Sequence, residues 1–189
     1  MTVGILALQG AFIEHEKILE KLGARCIELR KKSDLTDNHL DALVFPGGES
    51  TVQGKLLREL DMFEPIKSLI GKGIPLLATC AGLILLAQEI AGGEKPHLAC
   101  LPVKVKRNAY GRQLGSFVKK GKFEGLGDFE MTFIRAPYIE EVKNPQVEVL
   151  AVMDGKIVAV RYKKQLALAF HPEMGEDLRI HQLFLETIS

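Results

Sequence analysis

The chain has 189 residues, 47% of them hydrophobic, which is enough to bury one sizeable core, and a single domain over 1–189 is the expectation at that length. Twenty-five basic side chains against 24 acidic ones leave a formal charge of +1 with both signs dispersed, so neither nucleic acid nor a membrane surface is an expected partner. The start, MTVGILALQGAF, has no basic leader, and no stretch reaches the roughly 18 apolar residues of a membrane span, so a soluble, cytoplasmic protein is expected.

VGILAL (3–8) is a short apolar run suited to a buried strand. AFIEHEKILEKLG (11–23) follows with Phe12, Ile18, Leu19 and Leu22 on one helical face, and Gly23 suits the position just past a helix end. RCIEL (25–29), ALVFP (42–46) and IPLLAT (74–79) read as further strands. VQGKLLRELDMF (52–63) and AGLILLAQEIAG (81–92) read as helices. Apolar strands alternating with helices indicate a parallel sheet covered on both faces. Beyond residue 95 the pattern changes: 101–107, 129–136, 147–153, 156–162 and 166–170 are strand candidates with little helix between them. Asp154-Gly155 marks a tight hairpin between two of them, so antiparallel strands should extend the sheet. EDLRIHQLFLETI (176–188) closes the chain as an amphipathic helix. The fold class expected is a three-layer α/β/α arrangement around a mixed, largely parallel sheet.

Three widely spaced cysteines without a CxxC pair argue against a disulfide framework or a zinc site, and no metal or cofactor is expected. Cys26 and Cys100 sit in or beside strand runs and read as core. Cys80 differs. In ATCAG (78–82) a strand must turn abruptly into a helix between small residues, the layout of a nucleophile elbow, although Ala78 replaces the usual first glycine. A thiol at a helix start beside a histidine is a nucleophile, whereas one sealed in apolar surroundings is inert. Such a nucleophile needs a base and an orienting group. AFHPEM (169–174) follows a strand, and side chains two apart in extended backbone project to one side, so His171 and Glu173 can face one site, with Pro172 blocking a helix. The other histidines, His15 and His181 in amphipathic helices and His39 and His97 in polar loops, read as structural or solvated. Acyl chemistry also needs oxyanion donors: the N–H of Ala81 at the helix start is one, and VFPGGEST (44–51), where Gly47 and Gly48 free the backbone, supplies a second at Gly48. The glycine pair lacks the order of a phosphate-binding loop.

PGGEST, TCAGL and FHPE, in this order, resemble the class I, triad-type glutamine amidotransferases. ILALQGAFIEH, RNAYGRQ (107–113) and FIRAP (133–137) extend the likeness over essentially the whole chain to the glutaminase subunits of pyridoxal 5′-phosphate synthase complexes, with Ala109 and Tyr110 where that family often has Ser-Phe. The resemblance implies a Cys80, His171, Glu173 triad that hydrolyses L-glutamine through a cysteine thioester. It implies that Gly48, Glu49, Ser50, Arg107, Ile134 and Arg135 hold the glutamine. The ammonia would pass to a synthase subunit, a barrel protein, docked on the first helix and the LQG loop. The Gly47-Gly48 peptide would be properly oriented only in that complex. Two alternatives stay open at this point: a glutaminase serving another synthase, such as that for imidazole glycerol phosphate, and a non-enzymatic redox sensor of the same fold.

Overall fold

The computed structural model describes residues 1–107 and 115–188. Its first part runs β1 (Thr2–Leu6), α1 (Phe12–Lys21), β2 (Arg25–Leu29), α2 (Lys32–Thr36), β3 (Ala42–Phe45), α3 (Ser50–Glu59), α4 (Phe63–Gly71), β4 (Leu76–Thr79) and α5 (Ala81–Leu86). Then follow β5 (Ala87–Ile90), β6 (Leu101–Lys106), β7 (Ser116–Phe123), β8 (Gly127–Ile134), β9 (Tyr138–Val142), β10 (Glu148–Met153), β11 (Lys156–Tyr162), β12 (Gln165–Leu168) and α6 (Arg179–Glu186).

The strands β3 and β4 are buried at every position, as unbroken apolar runs require when both faces of a parallel sheet are covered. The main sheet has the order β2-β1-β3-β4-β12-β11-β9-β6-β5, with β10 branching from β11. The five strands from β2 to β12 are mutually parallel, and β11 turns the direction over. This is the expected three-layer α/β/α arrangement with an antiparallel extension. Because the chain reverses its direction of travel at β1, right-handed crossovers send α1 to one face and α2 through α4 to the other. The reversal also opens a crevice beyond the carboxyl ends of β1 and β3, where α/β sheets bind ligands.

Asp154 and Gly155 both adopt positive φ (51° and 74°) and close the β10–β11 hairpin as expected. Several stretches differ from the sequence reading, among them the short helix α2, which was not expected. The helix expected over 81–92 stops at Leu86, because Ala87–Ile90 pairs with β6 instead. An apolar run without clear periodicity leaves that choice to its neighbours. The helix expected over 52–63 is α3, which stops at Glu59; the chain breaks at Asp61, whose φ is +53°, and a further helix that was not expected, α4, begins at Phe63. Finally, β7 and β9 appear where no strand was expected; β7 is lysine-rich and largely exposed, and exists as the partner of β8 in a two-stranded ribbon.

Candidate active site

Cys80 lies between the last residue of β4 and the first of α5, with φ +47° and ψ −99°. A non-glycine residue is held in this region only by strong surroundings. The Cys80 amide donates to the Leu168 carbonyl at 2.8 Å, tying the turn to the end of β12. A Cβ on Gly82 would come within 2.2 Å of the Phe45 carbonyl oxygen, so only glycine lets α5 begin this close to β3. Ala78 is fully buried between Phe45 and Ala167 of the flanking strands. These small residues set the elbow down at the sheet's carboxyl edge.

The same edge delivers the histidine. β12 runs parallel to β4, with Leu168 opposite Thr79, so the chain leaving β12 emerges beside the elbow. The His171 amide donates to the Thr132 carbonyl at 2.8 Å, and its Nδ1 stands 2.7 Å from Glu173 Oε1. The ring also interacts with the Cys80 side chain. The backbone reaching Glu173 is a 3-10 turn over Pro172–Met174 rather than the extended segment expected, and proline with its fixed φ suits the first position of such a turn. Gly47 fits against the ring: a Cβ there would lie 2.2 Å from His171 Cε1.

The three side chains are nearly sealed, with Cys80 7%, His171 6% and Glu173 5% exposed. Burial pulls the His171 imidazole down, but hydrogen bonds with Cys80 and Glu173 outweigh it and raise its pKa to about 10. Burial pushes the Glu173 carboxyl up. His15 on one side and the bond with His171 on the other prevail and hold it below the usual carboxylate range. Cys26 and Cys100 behave as core thiols, each pushed up to about 12, chiefly by burial.

A cleft of about 260 Å³ opens over this constellation. All the residues expected to hold a substrate line it: Gly48, Glu49, Ser50, Arg107, Ile134 and Arg135. Glu49 Oε1 and Arg135 Nη2 pair at 3.0 Å across its mouth, both largely exposed, and Arg107 Nη1 bonds Glu94 at 2.7 Å. Ser50 Oγ is buried without a partner and so remains free to bond a ligand. Residues 108–113 of the RNAYGRQ segment lie outside the described residues. Sequence reasoning missed Gln9, Gly10 and Ala11 as lining residues. Gln9 Oε1 accepts from the Glu49 amide at 2.7 Å, and the Ala11 amide donates to the Gly47 carbonyl at 3.2 Å. It also missed that His15 and His181 reach the triad, although their places on the buried stripes of α1 and α6 were a readable sign. Among the described residues no cluster of ligating side chains could hold a metal ion, and no helix is long and apolar enough to cross a membrane.

Comparison with known proteins gives one consistent answer. The model of the SNO glutamine amidotransferase family matches residues 5–189. The chain is 61% identical to the pyridoxal 5′-phosphate synthase subunit PdxT of Desulfitobacterium hafniense (strain DSM 10664 / DCB-2), over all of this chain and 94% of that protein. It is 54% identical to the protein of the same name from Methanocorpusculum labreanum, over all of this chain and 98% of that one. A crystal structure of a glutamine amidotransferase at 47% identity superimposes with a TM-score of 0.92 over 98% of both chains. On this evidence the chain belongs to the SNO glutamine amidotransferase family.

Proposed function

We propose that this chain, acting as one glutaminase domain over 1–189, hydrolyses L-glutamine to L-glutamate and ammonia and supplies the ammonia to a synthase subunit for pyridoxal 5′-phosphate formation. The observation that carries the reading is the strained Cys80 set against an imidazole whose Nδ1 is 2.7 Å from a buried carboxylate.

In this reading the Cys80 sulfur, as thiolate, attacks the side-chain amide carbon of glutamine. Negative charge grows on the amide oxygen, where the N–H groups of Ala81 and Gly48 receive it. The Ala81 N–H opens α5 and is spared by the helix ladder. The Gly48 N–H points away from the Gly47 carbonyl across a trans peptide, and that carbonyl is held by Ala11. His171 keeps its proton at neutral pH and gives it to the departing ammonia. A γ-glutamyl thioester remains, which His171 then opens by activating water, with Glu173 fixing the ring throughout. The α-carboxylate of glutamine suits Arg107 and Arg135, its ammonium suits Glu49, and Ser50 and Ile134 complete the cleft.

The partner is a barrel-shaped synthase subunit seated on α1 and residues 8–10, and neither nucleic acid nor membrane takes part. The name carried by the relatives supports a synthase partner. Coupling through the Gly47-Gly48 peptide is supported by contact: a Cβ on Gly10 would come within 1.8 Å of the Gly47 oxygen, so the docking loop and the oxyanion loop cannot move independently. All three cysteines are free, as a cytoplasmic setting maintains them.

Ammonia release from L-glutamine, measured with and without the synthase subunit, tests the reading. Turnover should rise on adding the partner and vanish in Cys80→Ala with the fold retained. Undiminished release by that variant rejects the assignment, and equal rates with and without the partner reject the coupling.

A further inference from the structure

Behind the triad, away from the cleft, three fully buried polar side chains from three elements meet: His15 of α1, Thr79 of β4 and His181 of α6. None is explained by packing, since a buried imidazole must find partners to offset its desolvation. His15 Nδ1 is 3.0 Å from His181 Nε2, and His15 Nε2 is 3.2 Å from Thr79 Oγ1 and 3.3 Å from Glu173 Oε2. Glu173 Oε2 has no hydrogen bond of its own, while its sister oxygen serves His171.

We infer that His15 is a positioning residue for the triad, joining the carboxylate of Glu173 to the strand that presents Cys80, with His181 fixing its tautomer. This rests on the glutaminase reading above. The protons follow from the geometry. An ionised carboxylate accepts only, so His15 Nε2 carries the proton that faces Glu173 and Thr79. His15 Nδ1 is then bare and accepts from His181 Nε2–H. The remaining lone pair, on His181 Nδ1, is the one ring site of the pair left without a partner. Both rings are neutral in this arrangement, in keeping with burial, which lowers His15 against the pull of Glu173 and lowers His181 to about 3. The groups whose charge reaches His15 are Glu173, His171, Glu14 and His181.

One ring thereby touches both arms of the triad. Thr79 immediately precedes the strained Cys80, and Glu173 orients His171. A turn of the carboxylate about its own axis, which would release the 2.7 Å bond to His171 Nδ1, would carry Oε2 away from His15.

The test uses the full-length chain and three substitutions, His15→Leu, His15→Gln and His15→Asn. A glutamine amide nitrogen reaches the place of Nε2, whereas an asparagine amide reaches only that of Nδ1. Loss of the N–H that stands 3.3 Å from the charged carboxylate and bonds Thr79 should lower kcat roughly ten- to a hundredfold in His15→Leu, with KM within about twofold of the parent. His15→Gln should recover most of that loss, and His15→Asn should not. A folded His15→Leu with parental kcat overturns the inference, as does equal turnover in the Gln and Asn variants, which is the deciding comparison if Leu does not fold. Alkylation of Cys80 by iodoacetamide reads the same alignment without glutamine: slowing in Leu but not in Gln supports the inference, and equal rates overturn it. A parent chain that is inactive toward glutamine even with the synthase subunit added would instead refute the function, leaving the alkylation series to decide on His15.

Discussion

Gly47 offers a sharp test of how the site is built. Its φ lies outside the left-handed region, so alanine there carries no backbone strain, and any effect must come from the methyl group itself. That methyl would sit 2.2 Å from His171 Cε1, 2.9 Å from Nδ1 and 3.2 Å from Nε2. Ordinary contact begins at 3.4 Å, so ring or loop must yield by about 1.2 Å. If the ring yields, it leaves Cys80 or loosens the 2.7 Å bond to Glu173; if the loop yields, the Ala11 to Gly47 hydrogen bond of 3.2 Å is lost and the oxyanion donor moves. Either route misplaces a reacting group by about 1 Å, which is worth ~100-fold in rate. Overpacking should cost only ~1–3 kcal/mol of stability. Steady-state glutaminase kinetics at saturating glutamine, with thermal unfolding alongside, measure both. A Gly47→Ala protein that keeps kcat within a few-fold of the parent would show that His171 does not need the position seen here.

The charge state of His171 is measurable by NMR titration of its imidazole, whose midpoint should lie near 10 and fall in Cys80→Ala and in Glu173→Gln. Because the folded value lies above the unfolded value of ~6.5, the stability this histidine contributes is complete below that pH and is lost as pH climbs toward 10. A midpoint near 6.5 in the parent would refute the charge pairing. Iodoacetamide at neutral pH, followed by peptide mass spectrometry, should modify Cys80 well before Cys26 or Cys100, both held near 12 by burial; comparable labelling of all three would contradict that. Arg135 combines a φ of +42° with an exposed ion pair to Glu49, so Arg135→Gly should raise KM for glutamine about tenfold while its Tm matches or exceeds that of Arg135→Ala, since glycine alone relieves the strain. An unchanged KM would remove Arg135 from the substrate site.

The half of the fold that forms the parallel sheet was legible because its strands are apolar on both faces. Val3, Ile5 and Leu6 of β1, and every residue of β3 and β4, are buried, and only a strand covered on two sides needs such a run. The antiparallel half was less legible because its strands owe their existence to partners. Lys119, Lys120 and Lys122 in β7 give no apolar signal, and their strand is defined by its pairing with β8. Ala87 to Ile90 continues an apolar helical run in sequence, yet pairs with Leu101 to Val105 once α5 is spent against the sheet.

The site divides along a related line. Cys80, His171 and Glu173 sit where the backbone departs from regular structure: a positive φ flanked by small residues, and a proline-initiated turn just after a strand. Such departures need particular residue types, and those types leave a local trace. His15, Thr79 and His181 lie inside a regular helix, a regular strand and a regular helix, where periodicity is all that local sequence records. What makes them more than core residues is that α1 and α6, from opposite ends of the chain, close on β4 from one side and bring three polar groups to the back of one carboxylate. A histidine on the apolar stripe of an amphipathic helix is therefore a specific observation. It must have a buried polar partner, and in an α/β chain whose catalytic groups emerge at strand ends, the nearest groups needing one belong to the site itself.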